Sequence, residues 1–326
     1  MMKKDIILTL IANRFLAWEK KNESHAAIIY MILSNLAFSI MNLYVKFSNN
    51  VPTFQIIYSR GFLNILFCFM LLSSKDEIVD SNKKTNELLI WRGIIGSIGL
   101  IFLFHSLTLL PLSIAVVINM MTPLWVGILG ALFFGERFRM YQIIINIVSF
   151  IGVVFILKPD FLFKTEEEIE FANKKISDSS YQNYILGVFL AVLNSIFNAS
   201  VMHTIRELKN RTNIIVIIFY LNFFNIMYAG VGAFYHPFIK LESIDVFNLL
   251  VVSIAGYLAQ IFRSRALFLE KVFILSVIAY IQLIFGYLSD IFILSSPLDY
   301  FGNFGCVLIV ISTMILIYIE SRNKEK

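Results

Sequence analysis

Residues 94–118 read IIGSIGLIFLFHSLTLLPLSIAVVI, and residues 254–278 read IAGYLAQIFRSRALFLEKVFILSVI. At an offset of 160 residues the two stretches share Ile94/Ile254, Gly96/Gly256, Ile101/Ile261, Phe102/Phe262, Leu107/Leu267, Leu109/Leu269, Ile114/Ile274, Val117/Val277 and Ile118/Ile278. Nine identities are more than apolar bias readily supplies, so the chain reads as one unit written twice. Working outward, the first half holds the apolar runs Ala26–Phe47, Thr53–Leu72, Leu88–Leu109, Leu112–Phe134 and Tyr141–Leu157. The second holds Tyr184–His203, Ile214–Tyr235, Val246–Leu267, Val272–Leu294 and Tyr300–Ile319. Each can cross a hydrocarbon core of about 30 Å as a helix. Helices are required because backbone groups facing lipid have no water to bind. An odd number of spans per half turns the second copy upside down. The expected fold class is therefore all-α integral membrane, ten transmembrane helices as two inverted five-helix repeats. Inverted repeats with a site between them are an architecture of secondary transporters.

A mean hydropathy of +0.78, with 58% hydrophobic and 15% charged residues, excludes a water-soluble domain of 326 residues. The net charge of +5 raises nucleic-acid binding, but the distribution of charge rejects it. With odd-numbered helices running outward, 20 of the 27 Lys and Arg residues fall on the cytosolic side, Arg92, Arg263 and Arg265 among them. Lys46, Lys158, Lys164, Lys174, Lys175 and Lys240 fall opposite, and Arg60 lies inside a span. That asymmetry is the positive-inside signature and predicts both termini in the cytosol, in a plasma membrane or an endomembrane. Basicity here reports orientation.

The organisation expected is a cytosolic amphipathic segment over 1–25, a first repeat over 26–157, an acidic non-cytosolic linker over 158–183, a second repeat over 184–319 and a basic cytosolic tail over 320–326. In the first segment Ile7, Leu10, Ile11, Phe15 and Trp18 recur at helical spacing, as in helices that lie on a membrane surface. No cleavable signal precedes the first span. Cys68 and Cys306 have neither metal-ligand spacing nor a disulfide framework, and read as small packing residues. The acceptor triplets at Asn22 and Asn210 fall on the cytosolic side and that at Asn198 inside a helix, so none is expected to carry glycan.

The sharpest motif runs from Leu110-Pro111-Leu112-Ser113-Ile114-Ala115 through Asn119-Met120-Met121-Thr122-Pro123-Leu124-Trp125 to Leu132-Phe133-Phe134-Gly135-Glu136-Arg137. It resembles the EamA domain of the drug/metabolite transporter superfamily, whose fourth helix carries such a Thr-Pro and ends in Gly-Glu-Arg. Lys46 and Arg60 also match that domain's pattern. In the second half, Ala266-Leu267-Phe268-Leu269-Glu270-Lys271 and Tyr280-Ile281-Gln282 are similar to the family, but Leu283 stands opposite Pro123 and Ser296 opposite Glu136. Within the superfamily the chain looks like the solute-carrier-35 G-like branch. The resemblance implies a ten-helix carrier with a central cavity, alternating access and no bound cofactor.

Single residues leave alternatives open. Arg60 near a helix centre costs about 2.5–3.5 kcal/mol on insertion scales, so it faces a cavity, pairs, or snorkels to an interface. Arg263 and Arg265, near the cytosolic end of the eighth helix, suit lipid headgroups or a basic entrance for an anion. Pro123 removes a donor within the fourth helix, where Asn119 and Thr122 either satisfy freed carbonyls or bind substrate. Trp125, Tyr280 and Gln282 either line the cavity in the same layer or pack between helices. His105, opposite Arg265 in the repeat, and Asp290, the carboxylate well inside a span, are candidates for ion coupling. Glu136 with Arg137 is a candidate cytosolic gate or a plain surface pair. Gly93, Gly96 and Gly99 allow close helix approach on the third span.

The function expected is secondary transport of a small organic metabolite, with an anionic lean from Arg60, Arg263, Arg265 and Lys46. The partners are that substrate and the lipid bilayer, with no nucleic acid. The alternative is a transport-inactive membrane scaffold that keeps the fold. Paired carboxylates, HExxH and Cys–His arrangements are absent from the sequence, so no enzyme, metal or cofactor is expected.

Overall fold

A computed structural model of the chain describes residues 17–48, 50–72, 82–110, 112–135, 139–158, 178–235, 237–293 and 300–324. Twelve helices carry the fold: α1 (Glu23–Phe47), α2 (Thr53–Leu71), α3 (Lys83–Leu109), α4 (Leu112–Asn119), α5 (Thr122–Phe134), α6 (Met140–Leu157), α7 (Asp178–Glu207), α8 (Ile214–Tyr235), α9 (Ser243–Leu269), α10 (Val272–Ile278), α11 (Ile281–Phe292) and α12 (Tyr300–Lys324). They make ten spans long and apolar enough to cross a membrane, α4 with α5 forming the fourth and α10 with α11 the ninth. The outer surface is apolar: Phe133, Met70, Leu132 and Phe234 are 72–89% exposed. Asn35, Asn64, Asn146, Asn194, Asn222 and Asn225 are buried instead. Such an inversion suits a bundle whose solvent is hydrocarbon, where polar groups must be satisfied from within.

Helix pairing follows one rule. The first span packs on the eighth (α1 on α9) as the sixth packs on the third (α7 on α3). The third lies on the seventh (α3 on α8) as the eighth lies on the second (α9 on α2). The sixth span covers the fourth (α7 on α4 and α5) as the first covers the ninth (α1 on α10 and α11). Exchanging each span for the one five places on leaves this pattern unchanged, with α2·α8 and α6·α12 pairing across the exchange. At α6·α12 the backbones meet at Gly152 and Gly305, and Ser149 Oγ lies 2.7 Å from Ser312 Oγ.

Both composite spans break within one residue of the same repeat position. In the fourth, Met120 and Met121 interrupt the helix and Pro123 falls at the start of α5. Thr122 Oγ1 donates to the Asn119 carbonyl at 2.7 Å, satisfying a group that the break frees. In the ninth, the break is at Ala279–Tyr280, with no proline. Here the donors come from α1: Asn35 Nδ2 to the Ile278 carbonyl at 3.0 Å and Ser39 Oγ to the Gln282 carbonyl at 3.2 Å. The sequence reading placed one proline-driven break. Tertiary hydrogen bonds make the second.

Helix ends extend beyond the apolar runs, since hydropathy marks the hydrocarbon-spanning part and not the polar turns outside it. α7 starts at Asp178, inside the stretch read as linker, and α12 continues to Lys324. On the face that carries the start of α1, Ser24 donates to Glu270 after α9, and Arg206 Nη1 donates to the Leu267 and Glu270 carbonyls at 2.8 and 2.9 Å. On the opposite face Gln55 binds both backbone groups of Ile239, donating at 2.8 Å and accepting at 2.9 Å. Most of the expected amphipathic segment and acidic linker lies outside the described residues.

Candidate functional site

Two glycines of the opening repeat, Gly96 and Gly256, mark the centre of the bundle. Gly256 is midway along α9, and a Cβ there would lie 3.4 Å from Arg60 Cδ and 3.1 Å from Met41 Sδ. Arg60 of α2 therefore lies across the middle of α9, with Nη1 3.4 Å from Met41 Sδ. Its Nε is out of solvent and has no hydrogen-bond partner. The guanidinium points into the seam of α1, α2 and α9, not to lipid.

Arg263 joins the same seam from α9. Its Cζ lies 6.0 Å from the Phe38 ring centroid, near the middle of α1, and its Nε is also buried and unpartnered. Phe38 and Met41 are three residues apart and so share one face of α1. The side chain thus runs inward from a position near the helix end. A snorkelling arginine does the reverse.

Arg92 is the residue that sequence reasoning missed. It was counted among the cytosolic charges, yet it is 4% exposed, with an unpartnered Nε. Its guanidinium lies over Gly96, one turn further into α3, leaving no room for a Cβ there. At about 1.5 Å per residue that places the charge about 20 Å from the start of α3, near mid-span. The absence of a side chain at Gly96, read as a helix-packing surface, was the available signal.

Among the described residues no carboxylate pairs with Arg60, Arg92 or Arg263. The described Asp and Glu side chains sit at helix ends. Three guanidinium groups with no internal counter-charge therefore share the interior. Removing a cation from water without a partner costs several kcal/mol on the order-of-magnitude scale for buried ions.

The other sequence candidates separate from this cluster. Arg265 forms an ion pair with Glu19, a buried carboxylate that also accepts from Tyr30 Oη at 2.6 Å. It ties the helical turn over 17–21 to α9. The Asn119 side chain accepts from Asn194, Thr122 closes the break, and Pro123 is buried in it. Tyr280 is fully buried and donates to Asn146 Oδ1 at 3.1 Å. Gln282 is half-buried, and its backbone carbonyl takes the Ser39 bond. Trp125 keeps a buried, unpartnered Nε1 beside the fourth-span break. His105 Nδ1 lies 3.0 Å from the Ile101 carbonyl of its own helix. Glu136 and Arg137 lie outside the described residues, as does the Asp290 side chain, on α11 close to its end.

Residues 25–158, the first five spans, match the EamA-like transporter family. The chain's first half is similar to an EamA domain. Relatives then extend over nearly the whole length. The pseudopaline exporter CntI of Pseudomonas aeruginosa is 25% identical over 302 residues, covering 92% of this chain and 97% of that one. Human solute carrier family 35 member G1 is 22% identical over 292 residues, covering 88% and 77%. The probable transport protein YPL264C of Saccharomyces cerevisiae is 25% identical over 289 residues, covering 85% and 81%. A solved crystal structure of 16% identity superposes with a TM-score of 0.75 over 93% of this chain and 100% of its own, which shows the shared fold. The EamA-like match and the transporter-named relatives support a multi-pass membrane transporter of small solutes, similar to solute-carrier-35 G proteins among others.

Proposed function

We propose that the protein is a secondary carrier of a small organic anion, working by alternating access between two inverted five-span repeats, with both termini cytosolic. The observation that carries this reading is the pair Arg60 and Arg263, both aimed into the α1–α2–α9 seam near mid-span without a carboxylate partner. An intramembrane cation kept at such cost is repaid when a ligand supplies the counter-charge. Guanidinium groups suit this because their planar fork meets a carboxylate or phosphate bidentately. The span-exchange pairing and the two matched breaks support the repeat architecture, because each half then offers one interrupted span beside the site. The repeat-exchange contacts are also the surfaces that two rocking bodies would trade.

The test is uptake of radiolabelled organic anions into proteoliposomes by the wild-type protein and Arg60→Ala. The expected result is saturable wild-type uptake of at least one anion, reduced more than tenfold in the variant. Equal uptake by the two proteins for every substrate removes Arg60 from the mechanism and overturns the reading. In intact cells, tags on both ends should be cut by added protease only after the plasma membrane is permeabilised.

A further inference from the structure

Resting on the alternating-access reading, we infer that Arg206 is the latch that keeps one face of the carrier shut. Lys46 is then its repeat mate, closing the other face by the same backbone contact. Not every helix contact survives the exchange of repeats. α7 packs on α9, and α5 packs on α10 in the half of the bundle nearest the start of α1. The exchange turns these into α1 on α3 and α4 on α11, and neither pair packs comparably among the described residues. Burial agrees. Every residue of α10 is 4% exposed or less, whereas none of residues 281–289 on α11, the other half of the same span, is buried. A helix with lipid on one side and protein on the other buries one stripe. α11 lacks that stripe, so its inner side faces a gap. The bundle is shut on the face where α1 starts and open on the other.

The shut face carries a charged bond. Arg206, one residue before the last of α7, donates through Nη1 to the Leu267 and Glu270 carbonyls at 2.8 and 2.9 Å. These lie where α9 ends and its carbonyls lack helical partners, a place that also favours a cation. α7 reaches α5 through His203, whose Nε2 lies 3.0 Å from the Val126 carbonyl, and α9 runs on into α10. The bond therefore ties together the helices that meet on the shut side. At the 160 offset each part has a mate on the open face. Lys46 stands opposite Arg206, is exposed, and is again one residue before the end of its helix, α1. α3 ends at Leu109 as α9 ends at Leu269, and Leu107 and Leu110 stand opposite Leu267 and Glu270. The two ends are capped alike, the Leu110 N–H donating to the Ser106 carbonyl and the Glu270 N–H to the Ala266 carbonyl. Arg206 uses only backbone acceptors, so Leu110 in place of Glu270 leaves the same contact open to Lys46. When α7 and α9 part, Arg206 is released; when α1 and α3 close, Lys46 takes the Leu107 and Leu110 carbonyls.

The experiment measures amide hydrogen exchange of the purified full chain in lipid nanodiscs, as wild type, Arg206→Ala, Arg206→Lys and the double variant Lys46→Ala with Arg206→Ala. Each is checked for a monodisperse gel-filtration peak, and Arg206→Gln stands in where the alanine protein lacks one. Losing a contact made in only one of two states moves the population toward the other. Arg206→Ala should therefore speed exchange at least threefold over α10 and the end of α9, and slow it at least threefold over α4 and α11. A merely structural cap loosens the end of α9 and leaves α4 and α11 as they were, which overturns the inference. Arg206→Lys keeps a cation within reach of the carbonyls and should stay within twofold of wild type on both faces. Adding Lys46→Ala removes the opposing latch and should return at least half of the Arg206→Ala shift; a double variant that behaves as Arg206→Ala alone overturns the role of Lys46. Exchange that does not move, beside an Arg60→Ala protein that loses uptake, removes the latches and leaves the carrier. Faces that move reciprocally, beside an Arg60→Ala protein that transports as wild type does, keep the latches and remove the anion site.

Discussion

Replacing Gly305 by alanine tests whether α6 and α12 form a fixed arm of the bundle. A Cβ at Gly305 would lie 2.5 Å from the Gly152 carbonyl oxygen, 3.0 Å from the Ile156 backbone nitrogen and 2.8 Å from Ile156 Cγ1. Two of these three are backbone atoms, which a rotamer change cannot move. Going from 2.5 Å to an ordinary contact of 3.4 Å asks the helices to separate by about 0.9 Å. Overpacking of that kind costs about 1–3 kcal/mol. The separation also strains the buried Ser149–Ser312 contact. The assay is thermal unfolding of purified protein, with Gly230→Ala and Gly286→Ala as controls, because a Cβ at either meets nothing within 4 Å. Both controls should melt at or above wild type, since alanine is the better helix former by about 1 kcal/mol. Gly305→Ala should melt several degrees lower while its anion selectivity is unchanged. If it melts with the controls, the helices are not held at that distance and the reasoning is wrong.

Asn35→Ala should destabilise by about 1–3 kcal/mol, the cost of leaving the buried Ile278 carbonyl without this donor, and the same melt measures it. A double-mutant cycle on Glu19 and Arg265 should give a coupling of about 1 kcal/mol or less, because the Arg265 side chain is 37% exposed. In that cycle Glu19→Ala should cost more than Arg265→Ala, because it also removes the acceptor of the Tyr30 hydroxyl.

The ten spans were legible because lipid imposes one length and one polarity on every helix that crosses it. Ile214–Tyr235 is identical in the two descriptions, and Thr53–Leu72 ends one residue long. The breaks were half legible. Pro123 announces the first through its missing donor; the second rests on Asn35 and Ser39, which lie more than two hundred residues away in sequence. The repeat itself carried that information to within one residue, since Ala279 and Tyr280 stand opposite Asn119 and Met120 at the 160 offset and the first break is at Met120 and Met121. The arginines were legible one at a time. Hydropathy ranks a charge by its distance from the end of a run, so Arg92 counted as cytosolic. Its direction is set by the gap at Gly96, which a one-dimensional reading treats only as a small residue. Arg265, two residues from Arg263, looked equivalent in sequence. Helical rotation sends it to Glu19 instead.

The cross-bracing of the two breaks suggests where the moving parts divide. α1 packs on α9 and donates to the ninth-span break, while α7 packs on α3 and its Asn194 donates to Asn119 at the fourth-span break. A rocking motion that preserves these bonds must carry α1, α9, α10 and α11 together, and α3, α4, α5 and α7 together. Arg263 belongs to the first set and Arg92 to the second, so on the proposed cycle the buried arginines of α9 and α3 travel with different bodies.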